Sequence, residues 1–217
     1  MDAGDLIDET VSLRSGELRL LRPREAAEIP DDHEVEWAPL VPYWSVLWRS
    51  GVTLGRELSH RQLDGLRVVE LGCGMGVPSL AASRAGASVL ATDVSDEALE
   101  LLARNASGNG IALETLNVDW ESPANLLARA PFDLALAADV LYDRASTAAL
   151  LALLPRLAPQ VMVADPGRPG ADAFLAQACR CWRVTTYSRG LVRIHTLDEI
   201  RSKPHRRRSA AKWAGKR

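Results

Sequence analysis

The segment VVELGCGMGVPS, residues 68–79, decides the fold class of this chain, because a short apolar run ends in an acid and leads into alternating glycines. The run up to Glu70 has the composition of a buried strand, and VPS begins a helical pattern. Gly72, Gly74 and Gly76 are therefore predicted to form a tight turn between a strand and a helix, where main-chain amides lie open to a ligand. Turns of this kind are shared by nucleotide-binding α/β folds, so the turn alone indicates only a nucleotide-like ligand.

The spacing of the turn separates two kinds of nucleotide site. Dinucleotide folds favour G-x-G-x-x-G, whereas here the third glycine comes one position earlier and Glu70 stands just before the turn. A carboxylate there is poorly placed for a diphosphate and well placed to accept from an ammonium group. Asp93 ends the next predicted strand, 21 positions after Gly72, and can accept both hydroxyls of a ribose. An amino acid joined to a ribose indicates S-adenosylmethionine as the cofactor.

Strands and helices alternate from the glycine turn to the carboxyl end. The predicted strands cover residues 66–71, 87–93, 112–119, 132–139 and 160–165, and a final hairpin turns at Arg189-Gly190. The predicted helices cover residues 77–86, 95–110, 122–130, 144–157 and 171–181. This order predicts an α/β fold: a doubly wound, mostly parallel seven-stranded sheet with an antiparallel C-terminal strand. Ligands of such sheets bind beyond the carboxyl ends of the strands.

Three regions are predicted along the 217 residues: an N-terminal hairpin and extension over 1–40, the main domain over 41–200 and a basic tail over 201–217. Within the first, residues 9–23 alternate about Ser15-Gly16 like a hairpin, and 31–40 are a polar connection. Residues 41–58 open with aromatic side chains and are predicted to be helical.

Charge divides the two ends of the chain. Residues 1–40 hold eleven acids and four arginines, net −7, whereas residues 201–217 hold eight Lys or Arg and no acid, net +8. The tail is either a solvated extension or a basic arm that attracts an acidic protein or a nucleic acid, and the sequence leaves both open.

Composition favours an intracellular protein. No apolar run reaches the roughly 20 residues that span a bilayer, and the acidic start is unlike a secretory leader. Cys73, Cys179 and Cys181 cannot all pair and lack the spacing of a metal site, so we expect reduced thiols, no metal and a cytoplasmic location.

With these motifs in place, the chain resembles the class I, seven-β-strand S-adenosylmethionine-dependent methyltransferases, whose first motif corresponds to residues 70–76. It is similar in particular to the protein lysine methyltransferases, through Trp48, Asp119-Trp120 and the D-x-x-Y signature of residues 139–142. Three segments resemble the branch that acts on the electron transfer flavoprotein beta subunit: PYW (42–44), DVLYD (139–143) and DPGRP (165–169). The chain departs from that branch where Arg49-Ser50-Gly51 replaces a Pro-Gly-Gly turn, and in its basic tail.

The resemblance implies roles for individual residues. The cofactor-binding residues implied are Trp48, Glu70, Gly72, Cys73, Gly74, Gly76, Asp93, Asp119, Trp120 and Ala138. Asp139 and Tyr142 are implied as the catalytic pair, orienting a lysine amine of a protein acceptor. The implied substrate-binding residues are Tyr43, Trp44, Asp165 and Arg168. The acceptor implied is a protein such as the electron transfer flavoprotein beta subunit, methylated by a monomer that binds neither membrane nor nucleic acid.

Structural alternatives stay open for several of these residues. Trp120 can be a packing residue at a strand end, Tyr142 can anchor its own loop, and Asp165 and Arg168 can pair to stiffen theirs. Other functions also stay open: a small-molecule amine or arginine acceptor, a protein that binds S-adenosylmethionine without turnover, and a nicotinamide-dependent oxidoreductase. The oxidoreductase alternative is disfavoured because this chain lacks the third glycine at the position that dinucleotide-binding folds use.

Overall fold

The computed structural model describes residues 5–28 and 42–200, so the predictions for residues 31–40 and for the basic tail lie outside the described residues. Fifteen helices and strands are described, numbered here in chain order. They are β1 (Leu6–Leu13), β2 (Gly16–Pro23), α1 (Arg49–Leu58), β3 (Arg67–Leu71), α2 (Val77–Arg84), β4 (Ser88–Asp93), α3 (Asp96–Gly108), β5 (Glu114–Asn117), α4 (Ala124–Leu127), β6 (Leu134–Ala138), α5 (Arg144–Leu157), β7 (Gln160–Asp165), α6 (Ala171–Ala178), β8 (Trp182–Arg189) and β9 (Val192–Glu199).

The main sheet has seven strands in the order β5-β4-β3-β6-β7-β9-β8. β3, β4, β5, β6 and β7 are parallel, while β9 runs antiparallel between β7 and β8. The predicted fold class is therefore confirmed, including the antiparallel C-terminal strand. The chain order reverses between β3 and β6, which places a crevice at the carboxyl ends of these two strands.

Several predicted boundaries shift for local reasons. The helix predicted over 41–58 begins only at Arg49, because the segment before it forms a 3₁₀ turn at Tyr43–Ser45 and then an extended stretch. The Ser45 hydroxyl donates to the carbonyl of Pro42 (2.7 Å), which closes that turn. α4 begins directly after Pro123 and covers only four residues. Ser95 caps α3 as expected, since its hydroxyl accepts from the amide of Ala98 (3.2 Å).

The N-terminal hairpin is confirmed as β1 and β2, which pair with each other in a separate two-stranded sheet. Its buried side chains belong to the same hydrophobic cluster as α1, α2 and α3. Asn105 of α3 and Asn109, directly after that helix, hold the free edge of β2, because each side chain accepts from and donates to one main-chain residue of that strand. The hairpin thus shares one core with the main domain.

Two apolar layers cover the faces of the main sheet. One lies between the sheet and α1, α2 and α3, and the other between the sheet and α4, α5 and α6. In the part of the chain that the structure describes, no helix has both the length and the apolar character needed to cross a membrane.

Candidate active site

A cavity of about 620 Å³ opens where the carboxyl ends of β3, β4 and β6 meet. This volume is typical of small-molecule and cofactor sites. Of the predicted site residues, fourteen line the cavity: Tyr43, Trp44, Trp48, Glu70, Gly72, Cys73, Gly74, Gly76, Asp93, Asp119, Trp120, Ala138, Asp139 and Tyr142. Asp165 and Arg168 do not. The fold thus brings together residues that lie almost one hundred positions apart in the sequence.

The three glycines of the turn all adopt the left-handed backbone conformation, with φ of 67° at Gly72, 47° at Gly74 and 67° at Gly76. Neighbouring chain segments add a second constraint. A Cβ atom on Gly74 would lie 3.0 Å from the carbonyl oxygen of Trp44, and one on Gly76 would collide with the side chain of Leu102. The glycines were predicted to leave space for a ligand. Two of them, Gly74 and Gly76, also leave space for neighbouring groups of the protein, the Trp44 carbonyl and the Leu102 side chain.

Glu70 is buried at the end of β3, where its Oε2 accepts from the amide (2.9 Å) and the hydroxyl of Ser79. These bonds fix the first turn of α2 against the strand. Burial raises the pKa of Glu70 to about 8, although the Ser79 hydrogen bonds oppose the shift. The predicted contact with a cofactor ammonium stays a prediction, and such a cation would favour the charged carboxylate.

Asp93 lies at the end of β4 with both oxygens already held. Its Oδ2 accepts from the amide of Gly74 (2.9 Å) and its Oδ1 accepts from the amide of Ser95 (3.0 Å). These two bonds orient the carboxylate in the cavity wall, and each oxygen keeps a second lone pair for a ligand hydroxyl. The geometry therefore suits the predicted ribose contact.

The end of the cavity formed by the segment after β5 contains Asp119 and Trp120. The ring of Trp120 lies over the turn, with its Cζ2 atom 3.4 Å from the position of a Cβ on Gly72. The Oδ1 of Asp119 accepts from the amide of Glu121 (2.9 Å), which holds this exposed carboxylate at the cavity edge. A flat ring beside an acceptor is an arrangement that suits adenine, whose contact with these residues stays a prediction.

Cys73 and Ala138 give the cavity small, apolar wall positions. The amide of Cys73 donates to the carbonyl of Thr92 (2.9 Å), which ties the turn to β4. Burial raises the pKa of the Cys73 thiol well above its usual value, which favours the neutral thiol in the cavity wall.

Aromatic side chains surround the opposite side of the cavity. Tyr43 and Tyr142 are 57% and 61% exposed, so they form its rim. Trp48 lies deeper, directly before α1, and its Nε1 donates to the carbonyl of Tyr43 (3.0 Å). Trp44 touches the glycine turn through its main chain. The aromatic segment thus links the cofactor turn to the rim.

Asp139 has the most constrained backbone at the site. Its φ is 61°, and it is the only non-glycine residue with a positive φ within residues 5–28 and 42–200. Its Oδ1 accepts from Nε of Arg168 (2.7 Å), and the same guanidinium lies 5.4 Å from the ring centre of Trp48. The side chains of Asp139 and Arg168 are only 3% and 13% exposed. This is a buried ion pair at the cavity wall.

The structure places Asp165 and Arg168 outside the cavity lining, and their contact with a protein acceptor stays a prediction. The carboxylate of Asp165 is fully buried and accepts from the amides of Gly167 (2.8 Å) and Arg168 (3.2 Å), so it shapes its own loop. The guanidinium of Arg168 pairs with the carboxylate of Asp139 and not with that of Asp165. Its guanidinium is held inside the protein and not presented on the rim.

Sequence reasoning missed two residues that matter for the site. Ser79 binds Glu70, and Val94 lines the cavity while remaining 68% exposed. Val94 directly follows Asp93, so its position after a ligand-binding acid was a usable signal. Ser79 gave no signal, because its contact spans nine positions across the turn.

A family model described as lysine methyltransferase matches residues 44–172, which is more than half of the chain and includes nearly all of the cavity lining. The chain belongs to the lysine methyltransferase family. The electron transfer flavoprotein beta subunit lysine methyltransferases of Xenopus laevis and Rattus norvegicus are 33% and 32% identical to it, over 160 and 167 residues. These matches cover 70% of this chain but only 62% and 61% of those relatives, so the chain spans about three fifths of their length.

Solved structures agree on the fold. The 16S rRNA N2 G1207 methyltransferase of T. thermophilus, solved in complex with AdoMet and guanosine, superposes with a TM-score of 0.65 over 89% of this chain and 50% of its own. At 15% identity, this similarity concerns the fold alone. Family membership and the geometry of the glycine turn and Asp93 together identify S-adenosylmethionine as the cofactor of this chain.

Proposed function

We propose that this protein is an S-adenosylmethionine-dependent N-methyltransferase that methylates lysine side chains of a protein acceptor. The observation that carries the proposal is the position of Asp139. Its buried carboxylate lines the cavity next to the glycine turn, on a backbone conformation that is costly for a non-glycine residue. Membership in the lysine methyltransferase family supports the same reaction.

The cofactor would be held along the carboxyl edge of the sheet. When bound, S-adenosylmethionine supplies a methyl group activated by its sulfonium. Glu70 would accept from the ammonium group, Asp93 from the ribose hydroxyls, and Asp119 from the exocyclic amine of adenine beside Trp120. Trp48, Cys73 and Ala138 would provide apolar wall positions, together with the three glycines of the turn.

The acceptor amine must reach the cavity neutral, because only the free lone pair can form the new N–C bond. A lysine amine has a reference pKa near 10.4, and burial against Trp44 and Tyr142 would favour its neutral form. Asp139 and Tyr142 would orient the amine, while its proton leaves to water at the open rim. Held in this way, the lone pair of the amine would face the methyl group that bound S-adenosylmethionine supplies.

The rim supports a macromolecular acceptor. Tyr43 and Tyr142 are large and more than half exposed, and such side chains are enriched at protein interfaces. The matched relatives are named for the electron transfer flavoprotein beta subunit, so we propose a protein of that kind as the acceptor. We also propose a monomer that does not act on nucleic acid. Three unpaired cysteines support a reducing, cytoplasmic location.

Labelled S-adenosylmethionine tests this function directly. The full chain is incubated with a recombinant electron transfer flavoprotein beta subunit and, separately, with a whole-cell lysate, and labelled species are identified by mass spectrometry. We expect label on lysine side chains of a protein, and none with Asp139→Asn. Label on arginine or on a small molecule would overturn the lysine assignment. Cofactor binding without any label would identify a non-catalytic binding protein.

A further inference from the structure

The loop between β7 and α6, residues 166–170, is built as a rigid support. Asp165 accepts from two main-chain amides of this segment, and Arg193 binds the same carboxylate (Nη2 to Oδ2, 3.3 Å). A Cβ on Gly170 would lie 2.6 Å from the carbonyl oxygen of Leu141, so the loop presses against the loop that follows β6. These contacts restrict the position of the residues on this loop.

Arg168 lies on this loop, and its side chain extends to Asp139. Its Nε donates to Oδ1 of Asp139 (2.7 Å), and its guanidinium carbon lies over the Trp48 ring, 5.4 Å from the ring centre. Trp48 is itself held by its bond to the carbonyl of Tyr43. Asp139 and Trp48 line the cavity and Arg168 does not, so the guanidinium approaches the carboxylate from outside the cavity wall.

Asp139 needs such a support. A left-handed conformation at a non-glycine residue costs on the order of 1–3 kcal/mol and persists only where the surroundings impose it. The amide of Asp139 donates to the carbonyl of Ala164 (2.9 Å), which fixes its main chain to β7. The bond from Arg168 then fixes the carboxylate, while the guanidinium lies near the Trp48 ring. A planar guanidinium orients a carboxylate in a way that an ammonium group does not.

From this geometry we propose that Arg168 is a positioning residue, which holds the Asp139 carboxylate in the orientation that the acceptor amine requires. The proposal rests on the proposed methyl transfer, because it assigns Asp139 to that reaction. It replaces the expectation that Arg168 contacts the protein acceptor. The two roles differ in kinetics: a positioning residue acts on kcat, whereas a rim contact acts on the KM of the acceptor.

Three variants at position 168 test the assignment: Arg168→Ala, Arg168→Lys and Arg168→Gln. We expect Arg168→Ala to lower kcat about tenfold or more, with the acceptor KM and the S-adenosylmethionine affinity changed by less than about threefold. Arg168→Lys should recover part of the lost kcat, because it keeps the charge but not the fork, and Arg168→Gln should recover less. Added guanidinium at low millimolar concentration should partly restore Arg168→Ala and leave Asp139→Asn inactive.

Arg129→Ala provides the matched control. Arg129 forms an ion pair with Glu114 (2.5 Å), and neither residue lines the cavity. This variant should keep the wild-type kcat and KM. An equal loss of kcat in both arginine variants would show a general effect of removing an ion pair, and would overturn the positioning role.

Other outcomes are equally decisive. A raised acceptor KM with unchanged kcat in Arg168→Ala would make Arg168 a substrate contact. If Arg168→Ala does not fold, Arg168→Lys decides, since a wild-type kcat in that variant overturns the proposal. If the wild-type protein methylates no protein, the proposed function fails, and a crystal structure of Arg168→Gln still tests the positioning. A displaced Asp139 carboxylate supports it, and an unmoved one overturns it.

Discussion

The glycine turn and the end of the cavity at Asp139 are built by different physical means. At the turn, the wall is made by main chain, and three left-handed glycines allow the chain to bend sharply between β3 and α2. At the Asp139 end, the wall is made by side chains from separate loops, and a buried ion pair joins Asp139 to Arg168. Changes at the turn should therefore act sterically on cofactor affinity, whereas changes at the ion pair should act electrostatically on turnover.

The largest effect is expected from Asp139→Asn. Asparagine keeps the shape of the side chain and tolerates a left-handed backbone, so the variant removes mainly the charge. We expect methyl transfer to fall about 100-fold or more, the scale of a positioned acid or base, with S-adenosylmethionine affinity within about twofold of wild type. Initial rates with labelled cofactor and calorimetry give the two quantities. A wild-type rate in Asp139→Asn would show that Asp139 has no role in methyl transfer, and that the two regions do not differ in the way described above.

Asp93→Ala should give the next largest effect, now on binding. Two charge-assisted hydrogen bonds to ribose hydroxyls, each worth about 1.5–3 kcal/mol, predict a loss of cofactor affinity of at least about tenfold. The turn also loses the bond from the Gly74 amide. An analogue that lacks both ribose hydroxyls separates the two causes by calorimetry: it should lose less affinity in the variant than in the wild type. Additive losses would mean that the carboxylate does not touch the ribose.

Gly74→Ala tests the steric character of the turn, with Gly190→Ala as its matched control. Both glycines have positive φ, but a Cβ on Gly190 meets no atom of the described residues within 4 Å, whereas one on Gly74 meets the Trp44 carbonyl at 3.0 Å. Both variants should lower the free energy of unfolding by roughly 1–2 kcal/mol. Only Gly74→Ala should also weaken S-adenosylmethionine binding, by about fivefold. Equal cofactor affinity in the two variants would show that the Trp44 contact does not shape the site.

The smallest effect concerns the pH dependence set by Glu70. Its pKa is raised from 4.5 in a free carboxyl to about 8, so between these values the folded protein holds a proton that the unfolded chain releases. Stability should fall as pH rises through this window, and Glu70→Gln should flatten the fall in chemical denaturation measured from pH 5 to 9.

Cofactor binding should show the opposite dependence on pH. An ammonium group beside Glu70 favours the charged carboxylate, so S-adenosylmethionine affinity should rise with pH and level off above about 8. Calorimetry on the wild type and Glu70→Gln gives both profiles. Parallel profiles would show that the ammonium group does not meet this carboxylate, and that the turn recognises the cofactor by shape alone.

Local sequence determined most of the fold. The apolar run before Glu70, the glycines after it and the capping Ser95 are signals within a few residues. The helices and strands predicted from residue 66 onward are present, with boundaries moved by at most three residues. The residues predicted to bind the cofactor could be chosen from the sequence for the same reason. Their glycines and acids stand at strand ends, and parallel strands bring those ends to one edge of the sheet.

Tertiary structure alone decided the surroundings of Asp139. The sequence predicted Arg168 on a substrate rim and Trp48 in a helix, but the folded chain buries Arg168 against Asp139 and keeps Trp48 outside α1. These outcomes depend on contacts between residues 29 to 120 positions apart, and such contacts leave no periodic trace in the sequence. A guanidinium pairs with whichever carboxylate the packing brings near it, and only the fold determines which one that is.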